Sequence, residues 1–289
     1  GEGEGLARHG SASRAGFVHG ARRTDDPGAA QGEHAQRLQA EAGVAVYVFG
    51  DKDGAFVKCE PIAQYGTGEV FVPASLLYEG TDTMNYYESY EIKSDSINDS
   101  WAAFINFCDV LNNDATNVQT VLNVDRVLWY FAVTTVLPNE DAYNTMYLHN
   151  FYLYQTADGK FQIIPWDLSE SFCGALVGNG TLADHYERDP ADGYTPLILD
   201  RPLIYRLLSQ PYYFKRYMHH VRTVLMEMYD QTALVNIALS MQATANSAVT
   251  TDVNKLFTMA DYVNNLSNNM FWWTTEIAGI TETIDNRRP

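Results

Sequence analysis

Apolar and polar positions change rhythm along this chain. Up to residue 43 there is almost no rhythm: Gly, Ala, Arg and His dominate, with few β-branched or aromatic residues. That texture predicts a low-order arm, with a short helix over Glu33–Ala42 at most. From Val44 the texture changes. AVYVF, the turn Gly50-Asp51-Lys52-Asp53-Gly54 and AFVKCE predict a β-hairpin. A short helix is expected near Pro73–Tyr78, then a strand over Tyr86–Lys93. Trp101, Phe104, Ile105, Cys108 and Leu111 then fall at helical spacing behind Asn98 or Asp99, either of which can cap. A second helix is predicted over Val118–Leu137, stopped by Pro138. Two aromatic and β-branched runs follow, His149–Tyr154 and Phe161–Pro165, joined by Ala-Asp-Gly-Lys, which reads as a second hairpin. Residues 175–200 carry Gly, Asp and Pro and are expected to form a long loop; Pro202 to about Thr281 reads as helical. Strands first and helices afterwards predict an α+β domain. It divides into an arm over 1–43 and a domain over 44–281, strand-rich at 44–95 and helical at 96–281.

Composition narrows the function. A chain of 289 residues with 46% hydrophobic content can bury a sizeable core. The formal charge of −17 opposes nucleic acid and anionic membrane surfaces, and leaves basic proteins, or nucleotides escorted by cations, as compatible ligands. The longest apolar run, near Val127–Leu137, is too short to span a bilayer. Cys59, Cys108 and Cys173 show no zinc spacing and read as buried free thiols, with Cys173 nearest the chemistry.

The chemistry concentrates between Asn139 and Gly174. Phosphoryl transfer needs positioning and charge neutralisation: one carboxylate near the acceptor hydroxyl, plus oxygen ligands for a divalent cation. Asp141, Asn150 and Asp167 supply this set in order. A hairpin between the last two brings its open ends together, the order found in protein-kinase catalytic and metal-binding loops. Each residue also has a structural reading: Asp141 as a solvated helix end, Asn150 as a strand-start cap, and Asp167 as the start of a turn. His149 reads as a structural histidine, His219 and His220 as solvated or packed, and Trp166 as core. A glycoside hydrolase would need two carboxylates facing a sugar-sized cleft, and no motif points to one.

The run YLHNFYLYQTADGKFQIIPWDLSESF resembles the signature of the CotH kinase family, the spore coat protein H group. That signature has an Asp-x-Tyr segment, then His-Asn-Tyr-Tyr-Leu-Tyr, Gly-Lys and Ile-Pro-Trp-Asp. AVYVFGDKDGAFVKCEPI, YESYEIK, LNVDRVLWYFAV and RPLIYRLLSQPYYFKRY resemble further family segments, so the resemblance runs from about Val44 to Asn269. It implies an atypical protein-kinase-like fold that uses ATP and Mg²⁺ or Mn²⁺ to phosphorylate Ser/Thr of a protein, at a cell-surface, spore-coat or extracellular location. It gives Asp141 the catalytic role and Asn150 and Asp167 the metal. Glu60 and Lys93 become candidates for ion pairing in the nucleotide lobe. Ser169, followed by Glu170, stands where many members carry a second acid. Arg8–Arg14 is a faint echo of the family's Arg-Gly-Asn-Ser motif and no lysine precedes Lys52, so a truncated or rearranged ATP lobe is expected. A noncatalytic coat scaffold is the alternative.

Overall fold

The computed structural model describes residues 43–45, 47–50, 52–61, 73–94, 96–145, 148–174, 181–191, 201–272 and 275–287. The expectations for the arm, Arg8–Arg14 included, lie outside them. A four-stranded antiparallel sheet, in the order β2-β1-β3-β4, organises the first half. Its strands are β1 (Phe56–Cys59), β2 (Tyr90–Ile92), β3 (Phe151–Gln155) and β4 (Phe161–Pro165). β1 pairs Val57 with Ile92 on one edge and with Leu153 on the other. The strands of the early segment and the expected second hairpin therefore form one sheet.

Period-two alternation sorts β1 onto two faces. Val57 and Cys59 point into the main core, while Phe56 joins Tyr152, Tyr154 and Ile164 on the opposite face. The main core is filled by two helices, α1 (Ile97–Asn113) and α2 (Val124–Val136). α1 buries Trp101, Phe104, Ile105, Phe107, Cys108 and Leu111, the stripe predicted by its periodicity plus Phe107. Ser96 precedes α1, and its hydroxyl donates to Asp99 rather than Asn98 or Asp99 capping the helix. The expected second helix is divided into a 3₁₀ segment at Ala115–Thr120 and α2. Asn123 makes the division: its side chain accepts from Arg126 N and caps α2, while its own N–H donates to Phe161 O at 2.9 Å.

Three expectations are corrected. Residues 43–45 and 47–49 are helical, not the first strand of a hairpin. Both edges of β1 are already taken by β2 and β3. Ala45 and Phe49, one helical turn apart, instead cover the Phe56 face, with Phe49 stacked on Tyr154 at 5.1 Å. Residues 73–80 form no helix. Leu76 has φ 66°, and its backbone is bonded to Tyr90 Oη and Asn112 Nδ2, so tertiary partners replace helical ones. The expected 175–200 loop contains α3 (Leu182–Tyr186), started by a capping box between Thr181 and Asp184.

The second half is helical as expected: α4 (Pro202–Leu208), α5 (Pro211–Thr223) running on into a π turn at Val224–Met228, α6 (Gln231–Thr251) and α7 (Met259–Asn264). The sequence reading missed a small strand pair, β5 (Met270–Trp272) and β6 (Thr275–Ile277), and a last helix, α8 (Ile280–Arg287). His220 is packed: it stacks on Trp129 at 3.9 Å and bonds Asp125 at 2.7 Å, an aspartate that Arg216 also holds at 2.7 Å. Among the described residues no helix is long and apolar enough to cross a membrane.

Candidate active site

The site is built at the open end of the β3–β4 hairpin. The turn at the closed end depends on Gly159 at φ 81°, with Thr156 N–H donating to Lys160 O. From there the register runs back to Phe151 opposite Pro165. The residues just beyond then meet: Trp166 N–H donates to Asn150 O at 3.0 Å, which sets Asn150 beside the Trp166–Asp167 step.

Asp141 enters from the turn after α2. One oxygen of its half-buried carboxylate bonds His149 Nε2, and the other accepts from Asn150 Nδ2 at 2.8 Å. Asn150 Nδ2 also donates to the Asp141 carbonyl at 3.0 Å. The amide nitrogen of Asn150 is thus committed to Asp141, and its side-chain oxygen takes no part in these bonds. Asp167 is exposed, and one carboxylate oxygen accepts from the Ser169 hydroxyl at 2.7 Å and from Ser169 N at 3.4 Å. Ser169, standing where many members of the resembled family carry a second acid, therefore engages one oxygen of that carboxylate, and Asp167 also caps the 3₁₀ turn Leu168–Glu170.

Two of these positions, Asn150 and Asp167, also have unusual backbone conformations. Leu148, Asn150 and Asp167 have φ of 52°, 59° and 40°, and Phe172 and Cys173 follow at 60° and 59°. Left-handed conformations cost L-residues of order 1–3 kcal/mol each and persist where surroundings over-determine them, which clusters them at functional sites. Leu148 is fixed because its carbonyl accepts from Ala74 N at 3.0 Å.

The two other candidates fall on the strand side. Glu60 follows β1, 3.9 Å from His149 Nδ1 and 3.9 Å from Lys58 Nζ. Lys93 follows β2 and pairs with Glu91 at 2.8 Å. Lys93 N bonds Phe56 O whereas Glu60 N bonds Ser89 O, so the two lie at opposite ends of the β1–β2 ladder. Each is ion-paired within its own segment. Four residues are brought together: Glu60, His149, Asp141 and Asn150. The sequence reading took His149 for a structural histidine. Its position beside Asn150 at the base of a hairpin was the available signal. It also passed over Lys58, which alternation places on the face of Phe56 and Glu60.

Around this group, the turn holding Asp141 is anchored. Asn139 Oδ1 accepts from Asp141 N at 2.9 Å, and Glu140 is buried against His185 and Arg188. Burial alone would push the Glu140 carboxyl up; the His185 hydrogen bond and the Arg188 charge outweigh it and hold it below the usual carboxylate range. Cys173 is buried as a free thiol. Burial, aided by the Glu140 charge, pushes it to about 12, so it stays protonated and inert. Cys59 and Cys108 are likewise buried and free. A cleft of about 390 Å³ adjoins the segment after Asp167, lined by Leu137, Ser169, Phe172 and Ile277 among others, and does not include Asp141.

Among the described residues no three His, Cys, Asp or Glu side chains cluster as a ready-made metal site. Asn150 and Asp167 nevertheless fit Mg²⁺ or Mn²⁺: both offer hard oxygen atoms, and such ions take few protein ligands while keeping waters and substrate phosphates. Comparison with curated proteins found no match. The family model described as CotH kinase protein matches residues 34–289, nearly the whole chain. The mixed helix and antiparallel sheet agree with the kinase-like α+β fold that this family implies. On that match and that fold, the chain belongs to the CotH kinase family.

Proposed function

We propose that the protein is a metal-dependent protein kinase that transfers the γ-phosphate of ATP to Ser or Thr of a protein acceptor. The observation that carries this reading is the joint geometry of Asp141 and Asn150 at the mouth of the hairpin that ends in Asp167. Asp141 orients the acceptor hydroxyl and takes its proton. His149 and Asn150 hold the two carboxylate oxygens, so the carboxylate meets the acceptor in one orientation. Asn150 and Asp167 would hold Mg²⁺ or Mn²⁺, which when bound neutralises charge on the transferring phosphate. The fixed turns on both sides supply the alignment on which phosphoryl transfer depends. Glu60 and Lys93, with Lys58 and Glu91, place charges along the adjoining strands and are proposed to serve the nucleotide. The formal charge of −17 favours a basic acceptor.

The test is phosphotransfer from ATP with Mn²⁺ or Mg²⁺ to a basic Ser/Thr-rich peptide, alongside calorimetry of ATP–Mn²⁺ binding. Asp141→Asn is expected to lower turnover by about 10²–10⁴-fold, the usual contribution of a positioned base, and Asp167→Ala to abolish it, both with the fold retained by circular dichroism. Retained turnover in either variant would remove the assignment. The engagement of Asp167 by Ser169, in place of a second acid, favours one other reading, a noncatalytic scaffold. Absence of nucleotide binding at millimolar ATP would select it.

A further inference from the structure

We infer that Glu140 is a positioning residue, the buried anchor that holds Asp141 toward Asn150 and His149; the role in turnover rests on the phosphotransfer reading above. The three residues Asn139, Glu140 and Asp141 divide their work. Asn139 and Glu140 are 1% and 4% exposed, while the Asp141 carboxylate faces the open end of the hairpin. Glu140 Oε1 accepts from Arg188 Nη1 at 2.7 Å and from His185 Nδ1 at 3.0 Å. Both partners come from α3 and the residues after it. That segment is itself pinned by α8: Arg287 Nη1 donates to Tyr186 O at 2.8 Å and Arg188 O at 2.7 Å, while Nη2 reaches Thr135 O in α2 at 3.0 Å. On the other flank, Cys173 N donates to Pro138 O at 2.9 Å, and Thr283 of α8 donates to Phe172 O at 2.8 Å. One helix thus supports both the turn before Asp141 and the segment after Asp167.

Energetics argue for a positioning role. A buried carboxylate with a cationic partner is often no more stabilising than apolar residues of the same volume, because desolvation offsets attraction. What the contact adds is direction. Glu140 and Asp141 are consecutive, so fixing the first side chain inward restricts where the second can point.

The experiment compares wild type, Glu140→Gln, Arg188→Met and Arg188→Lys as full chains. It reads amide hydrogen exchange by mass spectrometry, and steady-state phosphotransfer with ATP–Mn²⁺ and a basic Ser/Thr-rich peptide. Arg188 is partly exposed, so its variants test the same contact from the side that tolerates change. Glu140→Gln and Arg188→Met are expected to raise exchange in the 138–145 peptide while β3 stays protected. They should lower kcat by up to about 10²-fold with KM for ATP little changed, and Arg188→Lys should restore most of both. The same exchange pattern in the variants, with a wild type that transfers no phosphate, would uphold the anchoring and remove the kinase reading. Unchanged exchange at 138–145, or loss spread evenly through α2 and β3, would overturn the proposal.

Discussion

Asn150 shows how much one residue can carry. Its side chain holds Asp141, its carbonyl receives Trp166, and its backbone sits at φ 59°. Strain and chemistry can be separated by substitution. Asn150→Gly and Asn150→Ala both remove the amide, but only alanine keeps a Cβ in the left-handed region. Denaturant unfolding should therefore find the alanine variant less stable than the glycine variant by about 1 kcal/mol, with neither active. Glu140 offers a pH test. Its folded-state carboxyl lies below the ordinary value of about 4.3, so the stability it adds is present above that value and is lost as pH falls through the depressed one. Wild type should be more stable than Glu140→Gln near neutral pH, and the gap should close under acid. A constant gap from neutral pH to well below 4 would remove the Glu140 charge as its source. At this scale the sequence was informative about residue type. Asp141, Asn150 and Asp167 could be named as candidates because their chemical types and order are visible. His149 could not be separated from a core histidine, since its contact with Asp141 needs a turn whose path the sequence does not display.

Elements are where sequence reasoning succeeded most and failed most visibly. α1 and the β3–β4 hairpin were legible because their periods are clean and their turn and breaker residues stand at the ends. Residues 45 and 47–49 were misread because a continuous apolar run suits a strand or a helix equally, and the decision lies with what covers Phe56. The strands β5 and β6 are three residues each, below the length at which alternation carries information. Close packing gives an element-scale prediction. A Cβ built on Gly54 would lie 1.7 Å from Gln155 O at the end of β3. Gly54→Ala must therefore displace the end of the β1–β3 ladder. It should lower the melting temperature more than Gly159→Ala, where a Cβ meets nothing and the cost is only that of φ 81°. Equal melting of the two variants would show that this end of the ladder yields freely. Phe107, fully buried against Phe161, should cost roughly 3–5 kcal/mol as alanine.

Across the whole molecule, the sheet, both long helices of the first half and α8 share one continuous core. Its excess negative charge is a surface matter. Added salt should weaken capture of a basic acceptor peptide by screening, raising KM for the peptide while leaving kcat nearly level. The placement of β1 between β2 and β3 has a further consequence, for the order in which the chain acquires its shape. Gly54 N–H donates to Tyr154 Oη across a separation of 100 residues, and β1 lies against β3 along its whole length. A ribosome must deliver all of α1, α2 and the Asp141 turn before β1 receives its second neighbour. Until then one edge of β1 stays unpaired, and a strand pairing of such long sequence separation closes slowly and is prone to wrong partners meanwhile.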